Sequence, residues 1–271
     1  GCVADDFTGA SDAASFLVKG GMSVQLFNGI PAKGSRVGEG IQAIVIALKS
    51  RTQDTGEAVA DTLRALGWLK EQRVERFYLK YCSTFDSTPK GNIGPAADAA
   101  MEFLGVSYTV LCPALPVNGR VVMKGELYVG GVPLHESPMK NHPLTPMWDA
   151  RIANLMKPQS KYSCVELWKE QMDRPADEIH AMLSDQADTQ EHYYVIPDYQ
   201  DMEDGERIVE LFGDLALLTG GSGILEPLAK HLSRRQDILP ELDIRAEGAA
   251  VLIAGSCSRA TLEQIAHFQT H

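Results

Sequence analysis

The hydrophobic residues of the chain form short continuous runs that alternate with runs at helical spacing. Residues 41–48 are almost all apolar, which is typical of a strand covered on both faces of a parallel sheet. Valine and leucine then recur every three or four residues, which predicts an amphipathic helix over about 55–72. Because strands and helices keep alternating, we predict an α/β fold. Its sheet is mostly parallel, with helices on both faces and right-handed crossovers.

The same reading predicts the remaining elements of this sheet. Strands are expected at 1–4, 24–27, 76–81, 108–111, 193–196 and 214–218, and helices at 95–104, 176–184, 205–212 and 224–232. Residues 118–134 break the alternation. Two short apolar runs followed by Gly130-Gly131 predict a β-ribbon inserted at that point.

The end of the chain reads as a new unit. Residues 233–247 are charged and contain Pro240, so we interpret them as a linker. Beyond them we expect a strand at 249–254 and a helix at 259–268, the start of a second α/β domain. The predicted domains are therefore 1–240 and 246–271.

Two neighbouring carboxylates, Asp5 and Asp6, follow the first predicted strand and precede the first helix. A strand-to-helix turn presents backbone N–H groups and the positive end of a helix dipole, which favour an anionic ligand. An aspartate at this place also serves as an ordinary helix cap, and that role needs only one of the pair. Both interpretations stay open from the sequence.

Other polar groups are predicted at the same edge, because all strand-to-helix loops of a parallel sheet end there. They are Lys49 and Arg51, the segment 80–92, Asp198, and the turn 219–223. Cations, carboxylates and hydroxyls together suit a small, oxygen-rich anion. Simpler explanations remain: Lys80 on a solvated strand face, Arg51 in a surface ion pair, and a glycine turn that binds nothing.

Charge and composition remove some classes of function. A net charge of −11 argues against a protein that binds nucleic acid by neutralising phosphates. No apolar run approaches the roughly 20 residues that span a membrane. The five cysteines show neither disulfide nor zinc spacing, which favours a reducing, cytoplasmic setting. His135 and His142 have no third ligand at metal spacing, so we expect no protein metal site.

Several segments together resemble the four-carbon acid sugar kinases, and most of all their 3-oxo-tetronate kinase branch. The segments that carry the resemblance are 4–10 (ADDFTGA), 80–88 (KYCSTFDST) with Gly91-Asn92, 116–120 (PVNGR), 142–147 (HPLTPM), 220–223 (GGSG) and 255–258 (GSCS) with Thr261 and Gln264. The resemblance covers the whole chain. It implies ATP-dependent phosphorylation of the C4 hydroxyl of 3-oxo-tetronate, or of a related threonate or erythronate.

The resemblance also implies a sugar-acid-binding domain followed by a nucleotide-binding domain. ATP would be contacted by Ser256 and Ser258 and by the turn Gly220, Gly221, Ser222 and Gly223, and Mg²⁺ would arrive with ATP. The family's later glycine-rich nucleotide segments are absent from this sequence. We therefore expect these 271 residues to bind the acid but to transfer no phosphate alone.

Roles for the cleft residues follow from the needs of phosphoryl transfer, which are alignment and charge neutralisation. Asp6 is predicted to orient or deprotonate the acceptor hydroxyl, with Asp86 as the competing candidate. Arg51 and Lys80 would hold the substrate carboxylate. The other predicted substrate-binding residues are Asp5, Ser83, Ser87 and Asn92.

Two alternatives of other classes stay open at this stage. One is a non-catalytic sugar-acid-binding module, and the other is a metal-assisted aldolase or isomerase that uses Asp5 and Asp6. A homodimer is compatible with the sequence, which does not itself specify an oligomeric state.

Overall fold

A computed structural model describes residues 1–187, 190–233, 248–249, 251–255 and 259–270. The chain divides into two compact units, Gly1–Ile238 and Leu239–His271, each of which is described by itself. The strands of the first unit are β1 (Cys2–Ala4), β2 (Val24–Asn28), β3 (Ala43–Ala47), β4 (Phe77–Lys80), β5 (Tyr108–Cys112), β6 (Arg120–Met123), β7 (Glu126–Val129), β8 (Val132–Pro133), β9 (Ser163–Leu167), β10 (Tyr193–Pro197) and β11 (Leu217–Gly220).

Eight of these strands form one sheet in the order β2-β3-β1-β4-β11-β5-β10-β9. Every pairing within it is parallel. All five residues of β3 are buried, which explains why its sequence is continuously apolar. The predicted parallel α/β sheet is confirmed.

Among the described residues, the helices of the first unit flank its sheet, and the second unit contains one helix of its own. They are α1 (Phe7–Lys19), α2 (Thr55–Glu71), α3 (Ile93–Leu104), α4 (Ile152–Met156), α5 (Lys169–Met172), α6 (Ala176–Ala187), α7 (Met202–Phe212), α8 (Leu225–Leu232) and, in the second unit, α9 (Arg259–Gln269). Helix α1 packs against α8, and α2 packs against α3. The crossover that contains α1 leaves β1 toward β2, whereas the one that contains α2 runs the other way. Right-handed crossovers in opposite directions place these helix pairs on opposite faces.

The predicted β-ribbon is also confirmed. Strands β6, β7 and β8 form a separate antiparallel sheet. Strand β6 of this small sheet is joined to the segment after β10 by two backbone hydrogen bonds between Val122 and Tyr199.

Besides the two-residue ribbon strand β8, one strand and two α-helices were not predicted: β9, α4 and α5. Strand β9 carries Ser163, Cys164 and Glu166 within five residues and lies at the sheet edge, where burial imposes no continuous apolar pattern. The other two are helices of five and four residues, too short to show a helical repeat.

In the second unit, the predicted helix is present as α9, but the strand expected at 249–254 is not found. Residues 249 and 251–255 have no regular secondary structure, and Val251, Leu252 and Ile253 are exposed. A strand is defined by its ladder partners, and the described part of this unit holds no strand that could pair with it. The predicted domain boundaries stay predictions.

Candidate functional site

A cleft opens at the carboxyl edge of β3, β1 and β4, where three loops meet. Asp5 and Asp6 follow β1, a 3₁₀ turn (Ser50–Thr52) follows β3, and the loop 81–92 follows β4. Backbone bonds join the loops: Arg51 N donates to Asp5 O (3.2 Å), and Asp5 N donates to Lys80 O (3.0 Å). Because the chain leaves β1 and β3 in opposite directions, this edge is a topological switch point, the usual ligand site of such sheets.

Arg51 lies among three carboxylates. Its Nε and Nη2 atoms donate to the two oxygens of Asp5, each at 2.9 Å, and Nη2 is also 3.1 Å from Asp6 Oδ1. Nη1 is 3.7 Å from Asp86 Oδ2, beyond hydrogen-bond distance. Asp5 therefore occupies one edge of the guanidinium plane, and Nη1 is the nitrogen with the loosest contact.

Burial acts on this ion pair in both directions. It raises the pKa of the Asp5 carboxyl group, and the Arg51 hydrogen bonds oppose that shift. Burial also works to lower the pKa of Arg51, but the bond and charge of Asp5 outweigh it and leave the pKa raised. Arg51 accordingly stays charged, and its two-pronged contact with Asp5 is a built-in part of the cleft.

Asp6 is the N-cap of α1, since its Oδ1 accepts from Gly9 N at 2.7 Å. The capping role considered from the sequence is thus real for Asp6, while Asp5 instead binds Arg51. The Asp6 side chain is 31% exposed, twice as much as that of Asp5 at 16%. The cap and the Arg51 contact both use Oδ1 of Asp6. Asp6 is not among the residues that line the cleft, so it borders the site through Arg51.

Gly9 makes room for this arrangement. A Cβ atom at position 9 would lie 2.5 Å from Asp6 Oδ1 and 3.1 Å from Lys80 Nζ. No side chain fits there without moving one of the two groups. Gly9 belongs to the 4–10 segment that carries the family resemblance, but it was not predicted as a site residue, and only the packing around it shows why a glycine is needed there.

Lys80 lies at the end of β4 and is only 5% exposed. Its Nζ donates to Tyr81 O at 2.8 Å, and no carboxylate of the described residues lies within 4 Å of it. The alternative of a solvated strand face is therefore wrong. A buried ammonium group carries three donors, and one neutral carbonyl leaves two of them for a ligand.

The loop after β4 is held in an uncommon backbone conformation. Phe85 has a φ of 59°, although it is fully buried and packs edge-on against Tyr81 with ring centroids 5.9 Å apart. A bulky residue rarely adopts this left-handed region, and such strain concentrates at functional sites. The next residue is Asp86, which is 8% exposed and accepts from Thr84 Oγ1 at 2.7 Å.

Ser87 and Asn92 also line the cleft, but both already have partners. Ser87 Oγ donates to Gln159 Oε1 at 2.7 Å. Asn92 Nδ2 donates to the carbonyls of Ser50 and Gln53, at 2.7 and 2.9 Å, and ties two loops together. Gln159, far away in sequence, is a second position that sequence reasoning missed, because nothing in its neighbourhood marks it.

The remaining predicted residues lie elsewhere. Ser83 is half-buried and does not line the cleft, and Ser256 and Ser258 lie outside the described residues. Cys82 lies beside the cleft, but burial followed by the Asp86 charge raises the pKa of its thiol to about 11. Cys82 is thus a neutral thiol at physiological pH rather than a nucleophile.

The turn Gly220-Gly221-Ser222-Gly223 is buried against the loop that follows β5. A Cβ at Gly220, Gly221 or Gly223 would collide with a backbone carbonyl oxygen of residues 112–114. Ser222 Oγ donates to Asp12, and the hydroxyl groups of Tyr78 and Tyr199 donate to carbonyls of the turn. These glycines permit close backbone packing, and their predicted contact with ATP stays a prediction.

Among the described residues, no helix is both long and apolar enough to cross a membrane. No group of three or more His, Cys, Asp or Glu side chains in those same residues is arranged to hold a metal ion.

Comparison with known proteins shows extensive similarity. The chain is 43% identical to the 3-oxo-tetronate kinase of Pectobacterium atrosepticum, over 99% of this chain and 63% of that protein. It is 42% identical to the 3-oxo-tetronate kinase of Haemophilus influenzae, over 99% of this chain and 64% of that one. The chain thus spans slightly less than two thirds of the length of these relatives.

Solved structures share the fold. A crystal structure of a Salmonella typhimurium LT2 protein matches with a TM-score of 0.89 and 40% identity, over 100% of this chain and 63% of that one. A Bordetella bronchiseptica protein matches with a TM-score of 0.68 and 29% identity, over 84% of this chain and 56% of that one. The Bordetella protein is a domain-swapped dimer with bound citrate.

A family model described as a sugar-binding N-terminal domain matches residues 1–228, which include the whole cleft. With the two named relatives, this match confirms the resemblance to the four-carbon acid sugar kinases. The chain belongs to the family defined by this sugar-binding N-terminal domain.

Proposed function

We propose that the cleft binds a four-carbon sugar acid such as 3-oxo-tetronate, and that the full-length protein phosphorylates the C4 hydroxyl of that acid with ATP. The relatives named 3-oxo-tetronate kinase support a sugar-acid kinase. The citrate bound to the Bordetella protein is a hydroxy acid too, which fits a ligand of this class.

The observation that carries the proposal is the buried ammonium group of Lys80. A charge removed from water is costly unless it is paired. Among the described residues, its one hydrogen-bond partner is the Tyr81 carbonyl, and the nearby carboxylates contact Arg51 instead. A ligand carboxylate at Lys80 would supply the missing negative charge, so we assign Lys80 as the main contact for the acid group.

Arg51 contributes in a second way. Its contact with Asp5 holds the loops after β1 and β3 together, and Nη1 remains the nitrogen best placed to meet a ligand oxygen. Three carboxylates and two cations line this region, which leaves a formal charge of −1 before any ligand binds. An anionic acid therefore needs the local donors of Lys80 rather than a favourable overall field.

We assign Asp6 as the group that orients the acceptor hydroxyl and takes its proton, with Asp86 as the rival. Asp6 is the more accessible, at 31% side-chain exposure against 9% for Asp86. A transferring phosphoryl group has to approach the hydroxyl from the open side of the cleft. The carboxylate nearer to that side is the better placed to receive the proton as the new bond forms.

ATP with Mg²⁺ would supply the phosphoryl group and neutralise its developing charge when bound. The Gly220–Gly223 turn is buried and offers this group no open surface. No catalytic step is therefore assigned to residues of that turn. The comparisons do not support the expectation that these 271 residues are inactive alone; they show only that the chain matches about 63% of each relative.

Neither alternative function is favoured. The relatives are named kinases, and nothing specific in the cleft points to carbon–carbon cleavage or to binding without catalysis. We also propose that the protein is cytoplasmic and forms a homodimer.

The test is a panel of four-carbon sugar acids offered with Mg-ATP to the full-length protein. The expected result is formation of ADP with a phosphate ester on C4, located by ³¹P–¹H correlation. Turnover without ADP formation, or carbon–carbon cleavage in the absence of ATP, would contradict the kinase assignment.

A further inference from the structure

The wall of the cleft that contains Ser87 and Asn92 offers hydrogen-bond acceptors but no free side-chain donor. We propose that buried Gln159 is a positioning residue that sets this polarity, so that the cleft selects acids with a hydroxyl group facing Ser87. This inference rests on the proposed function, and it specifies one group of the substrate, a hydroxyl, that the proposed site recognises.

The orientation of the Gln159 amide is fixed by its neighbours. Nε2 donates to Leu155 O at 2.9 Å, while Oε1 accepts from Ser87 Oγ at 2.7 Å and faces Gly94 N at 3.5 Å. A flipped amide would place its oxygen against the Leu155 carbonyl and its NH₂ group against the Gly94 N–H. Both contacts would then be repulsive, so Oε1 faces Ser87.

The polarity of Ser87 follows from that orientation. An amide oxygen only accepts, so the single hydroxyl hydrogen of Ser87 must point to Gln159. Ser87 is 3% exposed and lines the cleft, and its Oγ atom can then only accept a hydrogen bond from a ligand. A ligand carboxylate or ketone has no hydrogen to give it, whereas a hydroxyl group does.

Asn92 and Asp86, like Ser87, offer only hydrogen-bond acceptors to the cleft. Both hydrogens of Asn92 Nδ2 go to backbone carbonyls, and Oδ1 already accepts from Thr55 Oγ1 at 2.9 Å, with one lone pair left. An ionised Asp86 only accepts as well. Lys80 supplies donors in the same cleft, so the acid group and the hydroxyl groups of a ligand have separate partners.

Gln159 is itself held firmly, although it does not line the cleft. It lies three residues after the end of α4, in the segment that leads to β9, and is 8% exposed. A Cβ at Gly94 would come within 2.6 Å of both its Cβ and its carbonyl oxygen, so α3 and this segment are in close contact. A residue outside the site thereby determines which group Ser87 recognises.

The consequence is discrimination against deoxy acids. An acid that lacks the hydroxyl facing Ser87 leaves a buried acceptor unpaired, which should weaken its binding at least about tenfold. If Gln159 is replaced by methionine, the Ser87 hydrogen is released and can turn toward the ligand. The affinity ratio between the hydroxy acid and its deoxy analogue should then shrink.

The experiment is isothermal titration calorimetry with erythronate, with threonate and with the three monodeoxy analogues of each acid. The proteins are the wild type, Gln159→Met, Gln159→Glu and, as a matched control, Gln171→Met. Gln171 accepts from Trp168 N outside the cleft, so its loss costs one comparable bond without touching Ser87. We expect a ratio of at least about ten for one deoxy acid in the wild type. That ratio should persist in Gln159→Glu and Gln171→Met and collapse in Gln159→Met.

A loss of stability would weaken all the acids together and leave the ratio unchanged, which separates positioning from a purely structural role. If the hydroxy acids bind and every deoxy acid binds with the same affinity as its parent acid, the inference about Ser87 and Gln159 is wrong, while the proposed function stands. The same holds if the Gln159→Met ratio equals that of the wild type. If neither erythronate nor threonate binds the wild type, this inference is refuted, whereas the proposed function is decided by the panel of four-carbon acids with Mg-ATP.

Discussion

Two loops at the carboxyl edge of the same sheet contrast in what their polar residues do. Lys80 ends β4 and Asp86 lies in the loop that follows, and the buried Lys80 ammonium group has donors to spare. The Gly220–Gly223 turn after β11 is buried, with Ser222 bonded to Asp12 and its glycines against backbone. Unmet hydrogen-bonding capacity, rather than a glycine-rich sequence, therefore supports placing the proposed ligand at the end of β4.

The largest effect in this comparison is expected at Asp6. Asp6→Asn should lower kcat by roughly 100-fold or more, since asparagine cannot take the proton. Asparagine still caps helices well, so the fold should persist. Asp54→Asn is the matched control, because Asp54 caps α2 through Gly56 N and is not one of the three carboxylates around Arg51. Steady-state kinetics should show near-normal kcat for Asp54→Asn. Normal turnover in Asp6→Asn would move the role to Asp86.

Lys80→Met should weaken the binding of a four-carbon acid at least about tenfold, because a charged hydrogen bond is lost. Methionine keeps the length of the side chain and relieves a buried charge, so the melting temperature should not fall. Lys70→Met, at an exposed lysine over Phe103, serves as the control. Calorimetry that gives equal affinities for Lys80→Met and Lys70→Met would remove Lys80 from the site.

The glycine turn should respond in stability rather than in ligand affinity. Gly220→Ala places a Cβ against the Cys112 carbonyl and should destabilise the fold by about 1–3 kcal/mol. Gly67→Ala, in α2 with open space around it, should instead stabilise the fold by about 1 kcal/mol. Thermal unfolding measures both. A Gly220→Ala protein with normal stability but lost ligand binding would reverse the contrast between the two loops.

Arg51→Lys should have the smallest effect on the affinity for the acid, a decrease of severalfold at most on this account. An ammonium group cannot reproduce the two-pronged contact with Asp5, so the cleft loosens although the charge remains. Calorimetry of Lys80→Met and Arg51→Lys side by side ranks the two cations. A larger loss in Arg51→Lys would make Arg51 the main contact for the acid group.

Much of the fold was predictable, because a strand that is buried on both faces, such as β3, has a continuously apolar sequence. The edge strand β9 was missed, since its polar residues meet solvent. The strand expected at 249–254 was wrong for the opposite reason: apolar residues alone do not form a strand without a partner to pair with.

The site was predictable in its location but not in its contacts. A parallel sheet brings Asp5, Arg51, Lys80 and Asp86 to one edge, as expected from the sequence. Which carboxylate pairs with Arg51, and that Lys80 has none, depends on positions set by packing. Gln159 contacts Ser87 from 72 residues away in sequence, so no local motif reveals it. Gly9 lies inside a motif, but its need for space beside Lys80 is visible only in the packed structure.

The central claim is that a four-carbon acid binds with its carboxylate at Lys80, and a crystal structure of the protein with erythronate or threonate tests it most directly. We predict a carboxylate oxygen within about 3 Å of Lys80 Nζ. A ligand hydroxyl should also donate to Ser87 Oγ. An acid bound elsewhere, or one in this cleft whose carboxylate contacts Arg51 and leaves Lys80 without an anionic partner, would contradict the account.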